Sequence, residues 1–125
     1  MFDINNVQAI MARYDHIHPE DSYLLDQYWN DLSGALVQDT NGTIRYLLNN
    51  ATPEELDKIS EVTDELVERT QSIELIKAIR TAYCKYPETL NDHLLFSNLN
   101  LSITIALKDK KAAQQLLAWK PTRTD

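Results

Sequence analysis

The chain predicts an all-α fold: a single-domain irregular helical bundle, or a short array of stacked helical hairpins, of about six or seven helices. Three observations lead there. The apolar residues recur at three- and four-residue steps along most of the sequence, which is the helical period. Helix start signals of the Ser/Thr/Asn/Asp type stand before several of these runs. Only two Gly and four Pro are present, too few for a turn-rich β fold or long linkers. At 125 residues one domain is expected, with residues 121–125 a frayed basic tail.

A short helix opens at Asn5 or Asn6 and turns Val7, Ile10 and Met11 inward. The polar run Asp15-His16-Ile17-His18 breaks it, and Pro19 is the expected first residue of a second helix with Glu20 and Asp21 in its first turn. Leu24, Leu25, Tyr28, Leu32, Ala35 and Leu36 form its apolar stripe, with Trp29 at the edge and Asp26, Gln27, Asn30 and Asp31 outward. Asn41-Gly42 between two short apolar runs is a hairpin signal. The spacing of Ile44, Leu47 and Leu48 is helical, and a lone two-stranded hairpin is marginal in water. A helix from Asp39 or Thr40 to Asn49 is therefore favoured over the hairpin.

Residues 52–87 are the most fully written unit. Thr52, Pro53 and Glu55 make a capping box with Pro at the first helical position. Leu56, Ile59, Val62 or Thr63, Leu66 and Val67 make one apolar stripe. Gln71-Ser72 resets the chain, and Ser72 caps a second helix over 73–83 that buries Leu75, Ile76, Ile79, Ala82 and Tyr83. Ile73 lies at the edge of that stripe, and Glu74, Lys77, Arg80 and Thr81 face outward. Tyr86-Pro87 ends it, since a residue before Pro avoids the helical region. The expected unit is a hairpin of two antiparallel helices.

From 99 to 107 apolar and small polar residues alternate, as in a strand. Read as a helix, the same stretch is apolar nearly all round, as in a central buried helix. With no partner strand on offer, helix is the reading taken. A last helix over 110–119 turns Ala112, Ala113, Leu116, Leu117 and Trp119 inward and stops before Pro121.

The net charge of −7 argues against nucleic acid, whose phosphates need a basic patch. Residues 1–100 carry 17 acids against 7 bases, whereas 101–125 carry 2 acids and 5 bases. No secretory leader or membrane-spanning run is legible, and a single cysteine fits a reducing cytosol. The three Asn-x-Ser/Thr matches then carry no weight. Of chemistry there is little. No phosphate loop, flanked nucleophile or His-Glu-x-x-His is present. His16 and His18, beside Asp15, Glu20 and Asp21, form the one metal-like cluster, and a polar loop is the better reading of it than a zinc site. Cys84 reads as a small buried residue before a nucleophile paired with His93. No catalytic, cofactor or metal site is expected.

What stands out is charge. Glu54, Asp57, Glu61, Asp64, Glu65 and Glu68 follow the helical step and form an acidic stripe opposite the apolar one. Glu54–Lys58 and Glu65–Arg69 attract at four-residue spacing, while Asp57–Glu61, Glu61–Glu65 and Asp64–Glu68 repel. The stripe is either a solvated face or a docking face for a basic partner. The six Tyr suit surfaces with one buried and one polar end. Tyr14 and Tyr23 flank the acidic loop of Asp15, Glu20 and Asp21, which makes that loop a second candidate contact region.

Tyr46-Leu47-Leu48, Thr52-Pro53-Glu54-Glu55-Leu56, Ser72-Ile73-Glu74-Leu75-Ile76 and Lys85-Tyr86-Pro87-Glu88 together resemble small all-helical bacterial immunity proteins. These accompany the toxins of contact-dependent growth inhibition and related polymorphic toxin systems. The resemblance spans about the middle third of the chain and implies a cytoplasmic antitoxin that masks the active site of a cognate toxin domain, often a basic nuclease. It supplies no catalytic residue to carry over. The other reading is a helical adaptor or regulatory subunit that binds a basic protein.

Overall fold

The structure is a computed structural model that describes residues 2–86 and 93–121. Among the described residues the chain forms eight α-helices and no strand. They are α1 (Ile4–Arg13), α2 (Ser22–Val37), α3 (Thr40–Asn49), α4 (Pro53–Ser60), α5 (Thr63–Thr70), α6 (Ile73–Cys84), α7 (His93–Ala106) and α8 (Lys110–Ala118), with a 3-10 turn at Tyr14–His16. The fold is all-α, an irregular bundle. Both strand alternatives, at 36–46 and at 99–107, are helical instead.

Short polar side chains start most of these helices. Asp3, Asp21, Asp39, Thr52, Ser72 and Asp109 each accept a first-turn backbone N–H. Such caps contribute about 1 kcal/mol each by satisfying a donor the helix leaves free. The capping box at Thr52 and Glu55 is complete in both directions, at 3.0 and 3.2 Å. Asp39 also accepts from the Phe2 backbone N–H at 3.0 Å, which fastens the start of the chain to the start of α3.

Helices α6 and α7 are central. α6 packs on α3, α4, α7 and α8, and α7 packs on α4, α5, α6 and α8. α5 lies between α2 and α7, and α1 packs on α2. One contiguous apolar core results, with Tyr28, Leu32, Leu36, Leu47, Leu56, Ile59, Leu66, Leu75, Ile79, Tyr83 and Leu99 closed to solvent. Gly42, at the first turn of α3, is where the Phe2 side chain lies against the helix backbone. A Cβ there would lie 2.2 Å from the Cβ of Phe2.

Several expectations need correction. The first arm of the 52–87 hairpin is two helices, because the chain leaves helical geometry at Val62 (φ −115°, ψ 13°). Glu61 and Val62 make tighter bonds to Lys58 and Ile59 instead. Thr63 Oγ1 also lies within bonding distance of the Ile59 and Ser60 carbonyls, at 3.3 and 3.2 Å. That break raises the helix count above six or seven. Helix α2 begins at Ser22 rather than Pro19, since Asp21 takes the cap and Pro19-Glu20 form a turn. Leu24 and Leu117, expected inside, are 40% exposed, at helix positions no neighbouring described element covers.

Helix α7 is not buried all round. Its neighbours cover Leu95, Leu99, Ser102 and Ile103, while Leu101 and Ile105 stand 56% and 70% exposed. Arg80, expected outward, is buried on the α7 side of α6 and donates to Asn100 Oδ1 at 2.6 Å. Burial pulls its pKa down from the usual arginine range. Cys84, expected inside, is exposed at the end of α6. Trp119 caps α8 and is half-buried, with the Lys77 ammonium 5.4 Å from its ring centre. His93's side chain, Pro87 and 122–125 lie outside the description, and with them the Cys84–His93 pair, the Pro87 stop and most of the expected frayed tail.

Candidate functional site

The acidic stripe occupies α4, the break and α5. Glu54, Asp57, Glu61, Asp64, Glu65 and Glu68 are all exposed. The two cations of the stretch are turned elsewhere. Lys58 Nζ donates to the Met11 carbonyl at 3.3 Å, and Arg69 donates to Ser33 Oγ at 3.5 Å. Neither expected attraction, Glu54–Lys58 or Glu65–Arg69, closes as an ion pair among the described residues. The ion pair that does form there joins Arg13 to Asp31 at 2.9 Å, away from the stripe. Among the described residues, then, six carboxylates face solvent without a cation paired to them. Like charges so arranged project a negative field that a basic surface would relieve.

Two members of the stripe have further partners. Asp64 accepts the Ser102 hydroxyl from α7, a tertiary bond no spacing rule announces. Glu61 sits at the break, where Tyr14 and Asp15 from the 3-10 turn and Tyr28 and Trp29 from α2 gather. Tyr14 and Tyr28 stack at 5.4 Å between ring centres. Gln8 Nε2 donates to Glu55 at 3.1 Å, so together with the Lys58–Met11 bond the end of α1 is held on α4.

This junction brings the stripe and part of the acidic loop together. Tyr28 is fully buried and its hydroxyl has no hydrogen-bond partner among the described residues. Burial, followed by the charges of Glu61, Tyr14 and Asp15, pushes its ionisation above the usual tyrosine range. Partial desolvation first, then Asp57 one turn away, raises the Glu61 carboxyl above its ordinary value. The buried Trp29 N–H is near enough to favour the charged form of Glu61, without a well-formed hydrogen bond.

The rest of the loop is placed differently. Asp21 is the cap of α2, accepting from Leu24 N at 3.1 Å. His18 Nδ1 accepts from Glu20 N at 3.1 Å, which ties that ring into the turn. Glu20 and Tyr23 are exposed, Tyr23 at 73%, and no hydrogen bond among the described residues joins either to the stripe. Among the described residues no group of three or more His, Cys, Asp or Glu is arranged to hold a metal.

Sequence reasoning missed Trp29, Ser102, Leu101 and Ile105 as surface or junction residues. The signal for Leu101 and Ile105 was their four-residue spacing, opposite Leu99 and Ile103 on the helical wheel. No protein-family model matches the chain, and no curated protein or solved structure matches it either.

Proposed function

We propose that the chain is a non-catalytic immunity protein that binds a basic toxin domain and masks its active site. The observation that carries this reading is the uncompensated carboxylate surface of α4 and α5, whose own cations are spent on α1 and α2. Carboxylates so displayed would take the places that substrate phosphates occupy on a cationic toxin. Their field speeds encounter and selects the partner, and affinity comes from a few desolvated anchors. No helix among the described residues is long and apolar enough to cross a membrane, and action in the cytoplasm is part of the proposal.

The test is co-purification with the product of the gene immediately upstream, followed by charge reversal at Glu65 and Glu68. These two residues make no side-chain bond among the described residues. The E65K/E68K variant is expected to bind about tenfold more weakly, with a flatter salt dependence and a nearly unchanged melting temperature. Unchanged binding would reduce the stripe to a solvated face. A basic partner that co-purifies but has no toxic activity would instead make the chain an adaptor.

A further inference from the structure

Leu101 and Ile105 are one turn apart on α7 and stand 56% and 70% exposed. They are not isolated surface residues of the ordinary kind. Three hydrogen bonds lay the outer edge of α5 along this part of α7. Ser102 Oγ donates to Asp64, Gln71 Nε2 donates to the Ala106 carbonyl at 2.8 Å, and Lys108 N donates to Gln71 Oε1 at 2.8 Å. Ser102 and Ala106 directly follow Leu101 and Ile105 in the chain. Asp64 and Glu68 share one edge of α5 by their spacing, and Gln71 closes its C-terminal end. The apolar pair is therefore bordered by two carboxylates, Asp64 and Glu68, at a matching four-residue step. A rise of about 1.5 Å per residue makes each step roughly 6 Å.

Among the described residues, basic groups lie at one end of this face. Lys110 Nζ is held on the Thr104 carbonyl at 2.8 Å, and Lys108 marks the C-terminal limit.

We infer that this α5–α7 face is a docking site for an amphipathic basic helix of the protein partner. The apolar side of such a helix would cover Leu101 and Ile105, and its lysines or arginines, on the flank toward α5, would meet Asp64 and Glu68. Helix-in-groove binding reads as anchors at three- and four-residue steps, which is the spacing the face offers. Charge complementarity selects the occupant: an apolar ridge without basic flanks would leave both carboxylates desolvated and unpaired, which is costly. The inference rests on the proposed function only for the sign of the partner's charge, and it places the desolvated anchors against α7.

A test that needs no toxin separates the two. A 16-residue leucine–lysine amphipathic helix is titrated into the isotopically labelled full chain, with the same peptide carrying glutamate for lysine as the control. The expected result is amide shifts concentrated over 97–108 and 64–68, with binding at least tenfold weaker in L101S/I105S and in E68K. Both variants change exposed positions, and unaltered helicity and melting show that they fold. Shifts centred elsewhere, equal binding by L101S/I105S, or equal binding of the glutamate peptide would overturn the inference. So would self-association of the unaltered chain that L101S/I105S abolishes, since the occupant would then be a second copy.

Discussion

The Ser102 hydroxyl donates to the Asp64 carboxylate, binding α7 to α5 through a residue of the exposed acidic stripe. Ser102 is buried, and its hydroxyl also lies 3.0 Å from the Asn98 carbonyl one turn back. Asp64 reaches solvent, so breaking the bond leaves the carboxylate hydrated rather than stranded. S102A is expected to lose about 1 kcal/mol, the usual net worth of such a bond. That corresponds to a melting temperature lower by about 3–5 °C for a chain of this size. Thermal melts of S102A, D64N and the double variant check it. Full additivity of the two singles would show that the bond contributes nothing.

Gly42 is required by Phe2. Elsewhere in a helix, Gly→Ala gains about 1 kcal/mol. Here the new methyl would sit 2.2 Å from the Phe2 Cβ and 2.9 Å from Asp39 Oδ2. Phe2 is also stacked on Tyr46 at 5.4 Å, so it cannot yield without losing that contact. G42A is expected to lower the melting temperature, at an overpacking cost of about 1–3 kcal/mol before the helix gain. F2G/G42A should recover stability relative to G42A, because the Cβ of residue 2 is the obstacle. Equal melting of G42A and the unaltered chain would count against this packing.

Glu61 predicts a pH signature. Partial desolvation, and then Asp57, raises its folded-state pKa above the unfolded value. A carboxyl raised on folding binds its proton more tightly in the native state. Its contribution is therefore fully present below the unfolded pKa and is lost as pH rises through the folded pKa. E61Q removes the repulsion and should melt about 1–2 °C higher at pH 7, the scale of one like-charge pair a helical turn apart. The difference should vanish below about pH 4, where Glu is protonated. If Glu61 also meets a basic partner, the same variant binds less tightly while folding more firmly.

Gln71 is the one non-glycine residue with positive φ among the described residues, at 49°. Its backbone costs about 1–2 kcal/mol in that region, yet its side chain bonds to Val67, Glu68 and Ala106 carbonyls and accepts from Lys108. Q71G relieves the backbone and loses the bonds, whereas Q71A loses the bonds and keeps the strain. Q71A should therefore be the less stable of the two, by roughly 1 kcal/mol in denaturant titration. The reverse order would mean that the left-handed turn carries no strain.

Helix punctuation was readable because it is local. Thr52 with Pro53 and Glu55, Ser72 before 73, and Asp39 before 40 satisfy first-turn donors wherever the rest of the chain goes. The break at Glu61-Val62 was not readable in the same way. Neither residue opposes a helix strongly, and the break falls where the partners change: both helices pack on α7, α4 also on α6 and α5 also on α2. Only Ser60 and Thr63, both bonding back to nearby carbonyls, hinted at it. Arg80 is buried because α7 closes over its side of α6, whereas Cys84, one turn on along the same side, is the last residue of the helix and stays exposed. The exposure of Leu101 and Ile105 is likewise a fact about neighbours, since the composition of α7 suits burial on any side. Of the candidate site, the stripe itself was legible from spacing, while its junction with Tyr14, Tyr28 and Trp29 depends on tertiary packing.

The stripe divides into positions whose side chains meet other helices and positions whose side chains do not. Asp64 holds Ser102, and Glu61 lies against Trp29, whereas Glu54, Asp57, Glu65 and Glu68 make no side-chain bond among the described residues. Exchanges at these four alter the outward field and leave the internal bonding as it was. Four surface letters of the stripe can therefore change independently of the scaffold, while Glu61 at the break and Asp64 at the α7 seam are tied to the helices they meet.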